Sequence, residues 1–269
     1  MTPLRILLRR LLPSLLLVTL SAAGGELAVH IKASARQSGA DEVKWRLRAA
    51  ETPPTYDVAK ESFRVIVPDG LSPQAPPGIL IWISAGNEPT VPKDWFPVLQ
   101  RRRLVFAGAR HSGNRRNIFD RIRLAVDLNH HLRTTLKPDL SRVYVSGFSG
   151  GGRVASMVGV GYADMFTGTI CWMGANFYRP VQGPSGNWYR QGYLPDDDVL
   201  RIAKQRCGYV LVTGDKDFNL DNTLGVFDTG FQHERFQRAR LLRIPDQGHR
   251  LPPGEWLERA LDLLEKTEP

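Results

Sequence analysis

The sequence predicts an α/β protein, a mainly parallel, doubly wound sheet with helices on both faces. Three observations predict it. Short apolar or β-branched runs recur along the chain, among them 79–83 (ILIWI), 143–146 (VYVS) and 209–213 (YVLVT). Segments with apolar residues at helical spacing separate several of these runs, the alternation expected of crossover connections in a parallel sheet. A chain of 269 residues with 42% apolar content can also bury one full core.

The elements follow in order. Residues 24–55 are polar and weakly patterned and close on Pro53 and Pro54, which reads as an N-terminal arm or a loosely attached first strand; the catalytic domain is expected over 56–269. Residues 63–67 form a strand ended by a turn at Pro68, Asp69 and Gly70, and the proline-rich stretch 71–78 reads as a connector. The continuous run 79–83 suits a strand covered on both faces. A strand at 104–107 precedes a helix at 118–136, marked by Ile122, Ala125, Val126, Leu128 and Leu132 and stopped by Lys137, Pro138 and Asp139. The strand at 143–146 leads into a helix at about 151–160, and further strands are expected at 169–173, 209–213 and 241–244. Trp256, Leu257, Ala260, Leu261 and Leu264 mark one face of a closing helix. One segment breaks the alternation: 176–198 is a long excursion carrying Trp188, Tyr178, Tyr189 and Tyr193. It reads equally as a binding wall or as a loop packed by its own aromatics.

The N-terminus has a different character. Arg5, Arg9 and Arg10 precede an apolar run at 11–20, and Ser21 and Ala23 supply small residues at the −3 and −1 positions of a cleavage site. This is the pattern of a secretory signal peptide over 1–23, and the run is too short to span a bilayer. Export to the periplasm or medium is therefore expected, with no stable membrane insertion afterwards. Removal of 1–23 takes away three arginines and no acid, so the formal net charge of +9 becomes +6. Arginine clusters at 101–103 and at 115, 116, 121 and 123 read as a solvated basic surface, with attraction to an anionic polymer or a membrane surface as the sharper alternative. No nucleic-acid-binding signature accompanies them. Cys171 and Cys207 lack metal or redox spacing; export permits a disulfide between them, and two packed thiols are the other reading.

The chemistry centres on Gly147-Phe148-Ser149-Gly150-Gly151, a G-x-S-x-G pattern between a buried strand and a helix. At such a turn the serine takes strained backbone angles, and flanking glycines remove the Cβ atoms that would collide. The lysine of a phosphate-binding loop is missing, so the serine reads as a nucleophile. A serine hydroxyl needs a base and an orienting acid, expected downstream in the order acid then histidine. His249 follows the last predicted strand in Asp246-Gln247-Gly248-His249; His233 is the weaker candidate, and His111, His130 and His131 precede the serine. The acid is expected just after 209–213, where Asp217 is preferred and Asp215 more naturally caps the turn. A two-aspartate metal site lacks companion ligands, and no metal or organic cofactor is called for. Oxyanion donors are expected from the N–H of Gly150 and from the 84–87 loop, Gly86 first and Ala85 second.

Three stretches, RVYVSGFSGGGRVASM, TGDKDFN and DQGHRLPPGEWLERAL, together resemble the α/β-hydrolase superfamily over roughly 58–265, and within it the secreted polyhydroxybutyrate depolymerase and feruloyl or acetylxylan esterase-like group. The resemblance implies ester hydrolysis through an acyl-enzyme, with Ser149 as nucleophile, His249 as base and Asp217 as orienting acid. The substrate implied is a small-molecule or polysaccharide-linked ester. One departure is that Ser84 and Ala85 stand where the group carries a histidine-glycine pair. A peptidase of the same fold, which often adds a gating domain that this chain has no room for, and a non-catalytic binding protein are the alternatives. Pocket walls are expected from the Trp82 to Trp95 region and from the Tyr178 to Tyr193 excursion.

Overall fold

The computed structural model describes residues 25–190 and 193–266. The signal-peptide expectation lies outside the described residues. Eight strands form one sheet: β1 (Gly25–Val29), β2 (Phe63–Val67), β3 (Gly78–Ile83), β4 (Leu104–Ala109), β5 (Val143–Phe148), β6 (Gly168–Trp172), β9 (Gly208–Lys216) and β10 (Arg238–Gly248). Their order is β1-β2-β4-β3-β5-β6-β9-β10. β2 is antiparallel to β1 and β4, and every pairing from β4 through β10 is parallel. The fold class is therefore the one the alternation of runs predicts.

Side-chain alternation on the central strands creates two cores. Ile79, Ile81 and Ile83 of β3 point to one face, with Val143 and Val145 of β5. There they meet α1 (Ala40–Leu47), α3 (Ile118–Leu136) and α4 (Gly150–Gly161) through Val43, Leu47, Leu128 and Val158. Leu80 and Trp82 point to the other face and meet α2 (Trp95–Arg101) and α7 (Gly254–Glu265) through Trp95, Leu99, Leu257 and Leu261. A continuous apolar run is what a strand needs when both its faces are covered.

Residues 25–55 are more ordered than an arm. β1 pairs along its length with β2, and α1 buries Val43 and Leu47. Arg46 holds α1 down, donating to Asp164 Oδ1 at 2.6 Å and Oδ2 at 2.8 Å while its guanidinium lies 4.8 Å from the Tyr162 ring centre. A polar helix with two core residues leaves little periodicity to read. α2 is missed for a similar reason: it is short and contains Pro97.

The 176–198 excursion resolves toward packing. It carries a two-residue hairpin, β7 (Val181–Gln182) with β8 (Trp188–Tyr189), and it leads into α5 (Asp197–Arg206). Tyr178 and Tyr193 are buried, with Tyr178 against Phe177 at a ring separation of 4.4 Å. Trp82 and Trp95 are buried too and meet edge to face at 5.7 Å. These four residues are core, which corrects the expectation that they line a pocket; Trp188, 58% exposed, is the aromatic of the excursion that faces outward.

Several of the clustered arginines are tied to the protein, Arg101, Arg102 and Arg116 through ion pairs and Arg103, Arg121 and Arg123 through backbone carbonyls. Arg102 pairs with Glu258, Asp262 and Glu265 of α7, and Arg116 pairs with Glu61 and Asp120. Cys171 and Cys207 are buried free thiols. Cys207 Sγ donates to the Phe166 carbonyl at 3.2 Å, and burial pushes its pKa up to about 12.

Candidate active site

β5 ends at Phe148, and the chain reverses into α4 through Ser149 at φ 57° and ψ −119°. That is a left-handed φ for a residue with a side chain, a strained conformation that the surroundings must hold. Two contacts hold it. The Ser149 N–H donates to the Trp172 carbonyl at 2.8 Å, and α4 lies so close to β3 that a Cβ on Gly151 would collide with the Ile83 carbonyl. A Cβ on Gly147 would meet that same carbonyl at 2.6 Å. Glycine at both positions is thus a requirement of this turn.

The acid and the base arrive by strand register. β9 and β10 run parallel to Gly214↔Ile244; a bulge then takes up extra residues of β10, and pairing resumes at Lys216↔Gly248. Asp246 within the bulge has φ 54°. The next residue on each strand is Asp217 and His249, which therefore emerge side by side.

His249 Nδ1 is 2.6 Å from Asp217 Oδ1, and Nε2 is 2.9 Å from Ser149 Oγ. An ionised carboxylate only accepts, so Nδ1 carries the proton and Nε2 is left to accept from the serine hydroxyl. Asp217 also accepts from Thr213 Oγ1 at 3.1 Å and from the Asn219 N–H at 3.0 Å, and its side chain is fully buried. Asp215 turns away and pairs with Arg243 of β10. His233 is exposed after the π-helical turn Val226–Gln232, and His130 and His131 lie on α3.

The oxyanion side differs from expectation. Gly150 begins α4, and its N–H has no acceptor among the described residues. The Gly86 N–H is engaged: it donates to Ser84 Oγ at 3.1 Å, and that hydroxyl donates to the Glu88 carbonyl at 2.8 Å. Gly86 is therefore not a free donor, whereas the Ala85 N–H has no acceptor among the described residues. The physical reason is the Ser84 hydroxyl, which folds the loop back on itself.

Several residues around the site went unseen in the sequence. Arg121 of α3 is buried and donates from Nη2 to the Ser84 carbonyl at 2.8 Å, pinning the loop from below. Asn114 ties a second loop to it, its N–H donating to the Ala85 carbonyl at 3.0 Å, and its amide fills the space where a side chain on Gly150 would stand. Phe148 and Phe218 flank the imidazole, with ring centres 4.8 and 3.9 Å from that of His249, and Phe218 is 75% exposed. Phe218 sits inside the TGDKDFN stretch and was legible by position; Arg121 is one more arginine on a helix and carried no signal. Clefts of about 480 and 420 Å³ lie elsewhere, the first against α2 and α7 and the second around Arg142, Tyr144 and Arg238.

No family model and no curated protein matches the chain. Solved structures do. A ferulic acid esterase aligns at 15% identity and TM-score 0.58 over 89% of this chain and 96% of its own. Est1E from Butyrivibrio proteoclasticus aligns at 13% identity and TM-score 0.53 over 77% of this chain and 96% of its own. Dipeptidyl peptidase 4 from Porphyromonas gingivalis aligns at 16% identity and TM-score 0.51 over 77% of this chain and 34% of its own. The chain spans about a third of the length of that peptidase. Fold and site together define a protein of the α/β-hydrolase fold in which a serine, a histidine and an aspartate form one hydrogen-bonded chain.

Proposed function

We propose that the protein is an exported serine hydrolase that cleaves carboxylic esters through an acyl-enzyme. The observation that carries the reading is the unbroken chain Ser149–His249–Asp217, with separations of 2.9 and 2.6 Å, at the C-terminal edge of the sheet. In this reading Ser149 Oγ attacks the ester carbonyl while His249 Nε2 takes its proton, and Asp217 holds the ring in the tautomer that can accept it. The Gly150 N–H at the start of α4 stabilises the tetrahedral oxyanion, with Ala85 as the second donor in place of Gly86. His249 returns the proton to the departing alcohol, and water repeats the attack on the acyl-serine.

The similarity to a ferulic acid esterase supports ester over amide cleavage, and that protein aligns over nearly its full length. The basic, then apolar, then small-residue order of 1–23 supports export. The test pairs a fluorophosphonate probe with a panel of nitrophenyl, feruloyl and acetyl-sugar esters beside peptide anilides. We expect labelling at Ser149 and turnover of esters. Labelling with turnover of anilides alone would make the protein a peptidase, and no labelling of the folded protein would make it a binding protein. For export, the protein recovered from the producing cells is expected to begin at Gly24.

A further inference from the structure

The arginines differ in what holds them. Arg46, Arg64, Arg102, Arg116 and Arg142 each face a carboxylate. Arg121 and Arg123, both buried, donate to backbone carbonyls, Arg121 to Ser84 and Arg123 to Ser38 and Pro54, and so tie segments together. Arg153 fits neither pattern.

Arg153 lies on α4 four residues after Ser149, and its N–H donates to the Ser149 carbonyl at 3.0 Å. Residues four apart share a helix face, and helical side chains lean toward the N-terminus, so this one runs back along the face that carries the nucleophile. Its guanidinium donates from Nη2 to Asn219 Oδ1 at 3.0 Å and from Nη1 to Asn176 Oδ1 at 3.3 Å. Both amides are themselves anchored. Asn219 donates its N–H to Asp217 Oδ1 at 3.0 Å and its amide to the Met173 carbonyl at 2.8 Å, and the Asn176 N–H donates to Ser156 Oγ at 2.8 Å. The guanidinium thus stands between the loops that follow β6 and β9, on a residue one helical turn from Ser149.

Both acceptors are neutral. Aspartate at 176 or 219 would have supplied a counter-charge, and among the described residues no carboxylate lies within ion-pair distance of Arg153. Burial lowers its pKa, opposed by Tyr189 and the Asp217 carboxylate. The Asp217 oxygens already accept from His249, Thr213 and Asn219. A half-buried guanidinium without a counter-charge is unfavourable, and with two of its five N–H donors used, three remain for a planar anion.

We propose that Arg153 binds a carboxylate carried by the substrate, so that the substrate class is an ester with a free carboxylate a few bonds from the scissile carbonyl. This rests on the ester-hydrolase reading above. The carboxylate belongs either to the acyl part, as in a dicarboxylic monoester, or to the alcohol part, and the two sources are separated by the arms of the test.

The first arm compares kcat/KM for mono-4-nitrophenyl adipate and 4-nitrophenyl hexanoate, which differ at the far end of the acyl chain. The second compares 4-carboxyphenyl butyrate with phenyl butyrate. In one arm the wild-type protein is expected to prefer the carboxylate ester by about tenfold or more, the size of one charge-assisted hydrogen bond. The ratio is expected to fall to about 1 in Arg153→Gln and to be partly kept in Arg153→Lys. Adipate dianion is expected to inhibit hexanoate turnover competitively in the wild type and much less in Arg153→Gln. Equal turnover of both esters in both arms would overturn the inference while leaving the ester-hydrolase reading intact. A preference that survives Arg153→Gln, or equal losses on charged and neutral esters, would make Arg153 a clamp on Asn219 and overturn it too. Failure to cleave any ester would remove the enzymatic reading and this inference together.

Discussion

Ser84 Oγ accepts the Gly86 N–H at 3.1 Å and donates to the Glu88 carbonyl at 2.8 Å, so one hydroxyl closes the loop that faces the nucleophile. The hydroxyl both fixes the loop and occupies the donor expected from the sequence. Ser84→Ala releases both bonds. We expect kcat for a nitrophenyl ester to fall by about three- to tenfold with KM nearly unchanged, the size of one ordinary hydrogen bond felt in the transition state. Steady-state kinetics on a single ester checks it.

Arg121 supports the same loop from the core. Burial lowers its pKa to about 10, below the ordinary guanidinium value. The folded protein therefore binds fewer protons than the unfolded chain between these values, and stability rises as pH climbs through that window. Below about pH 10 the charge is a full liability. Arg121→Met is accordingly expected to leave the urea midpoint at pH 7 unchanged or higher, while ester kcat falls because the Ser84 carbonyl loses its anchor. A large loss of stability would contradict this.

For the three central side chains the expected losses are steep. Ser149→Ala should abolish ester turnover with circular dichroism unchanged. Asp217→Asn, which removes the acceptor that sets the histidine tautomer, should lower kcat by about 10⁴-fold. Asp215→Asn should stay within a few-fold of wild type, because its partner is Arg243. Reversed magnitudes in the two aspartate variants would exchange their roles.

The two glycines after the nucleophile should respond differently to an added methyl. At 151 the obstacle is the Ile83 backbone carbonyl, which cannot move without shifting β3; at 150 it is the end of the Asn114 side chain, which can swing aside. Gly151→Ala should lose about 1–3 kcal/mol of stability, and Gly150→Ala should fold normally. Thermal melts of the two variants decide it.

Acid should loosen the aromatic excursion before the sheet. Burial raises the pKa of Glu234, but Lys204, Tyr178 and Arg179 outweigh it and leave a net lowering. The carboxylate holds the Tyr178 hydroxyl at 3.0 Å and Lys204 Nζ at 2.8 Å. A depressed folded pKa means stability that is present above the unfolded carboxylate value, about 4.3, and is lost as pH falls through the lower folded value. Protection from hydrogen exchange around 176–181, relative to the intrinsic rate at each pH, should fall as pH drops below about 4.3, and Glu234→Gln should flatten that change.

The sheet was legible because its central strands are covered on both faces, and such strands leave continuous apolar runs such as ILIWI. The turn at Ser149 was legible because collisions at 147 and 151 admit only glycine, so steric need is written as residue type. α1 was not, since two buried apolar residues in eight leave no clear period. The walls around the site were misread because tryptophan and tyrosine look alike in sequence whether they pack inward or outward. Trp82 and Tyr193 are core, while Phe218 stands over His249. The second oxyanion donor depended on where one serine hydroxyl turned, a rotamer that no pattern records.

The bulge between Ile244 and Gly248 gives β9 and β10 a property of their own. Because adjoining strands deliver Asp217 and His249 side by side, directly after the Lys216↔Gly248 rung, the spacing between acid and base is inherited from backbone geometry. Surface segments elsewhere can be shortened, exchanged or grafted without retuning that pair. Deleting one residue from the bulge would put the ladder out of phase and separate the pair at a stroke.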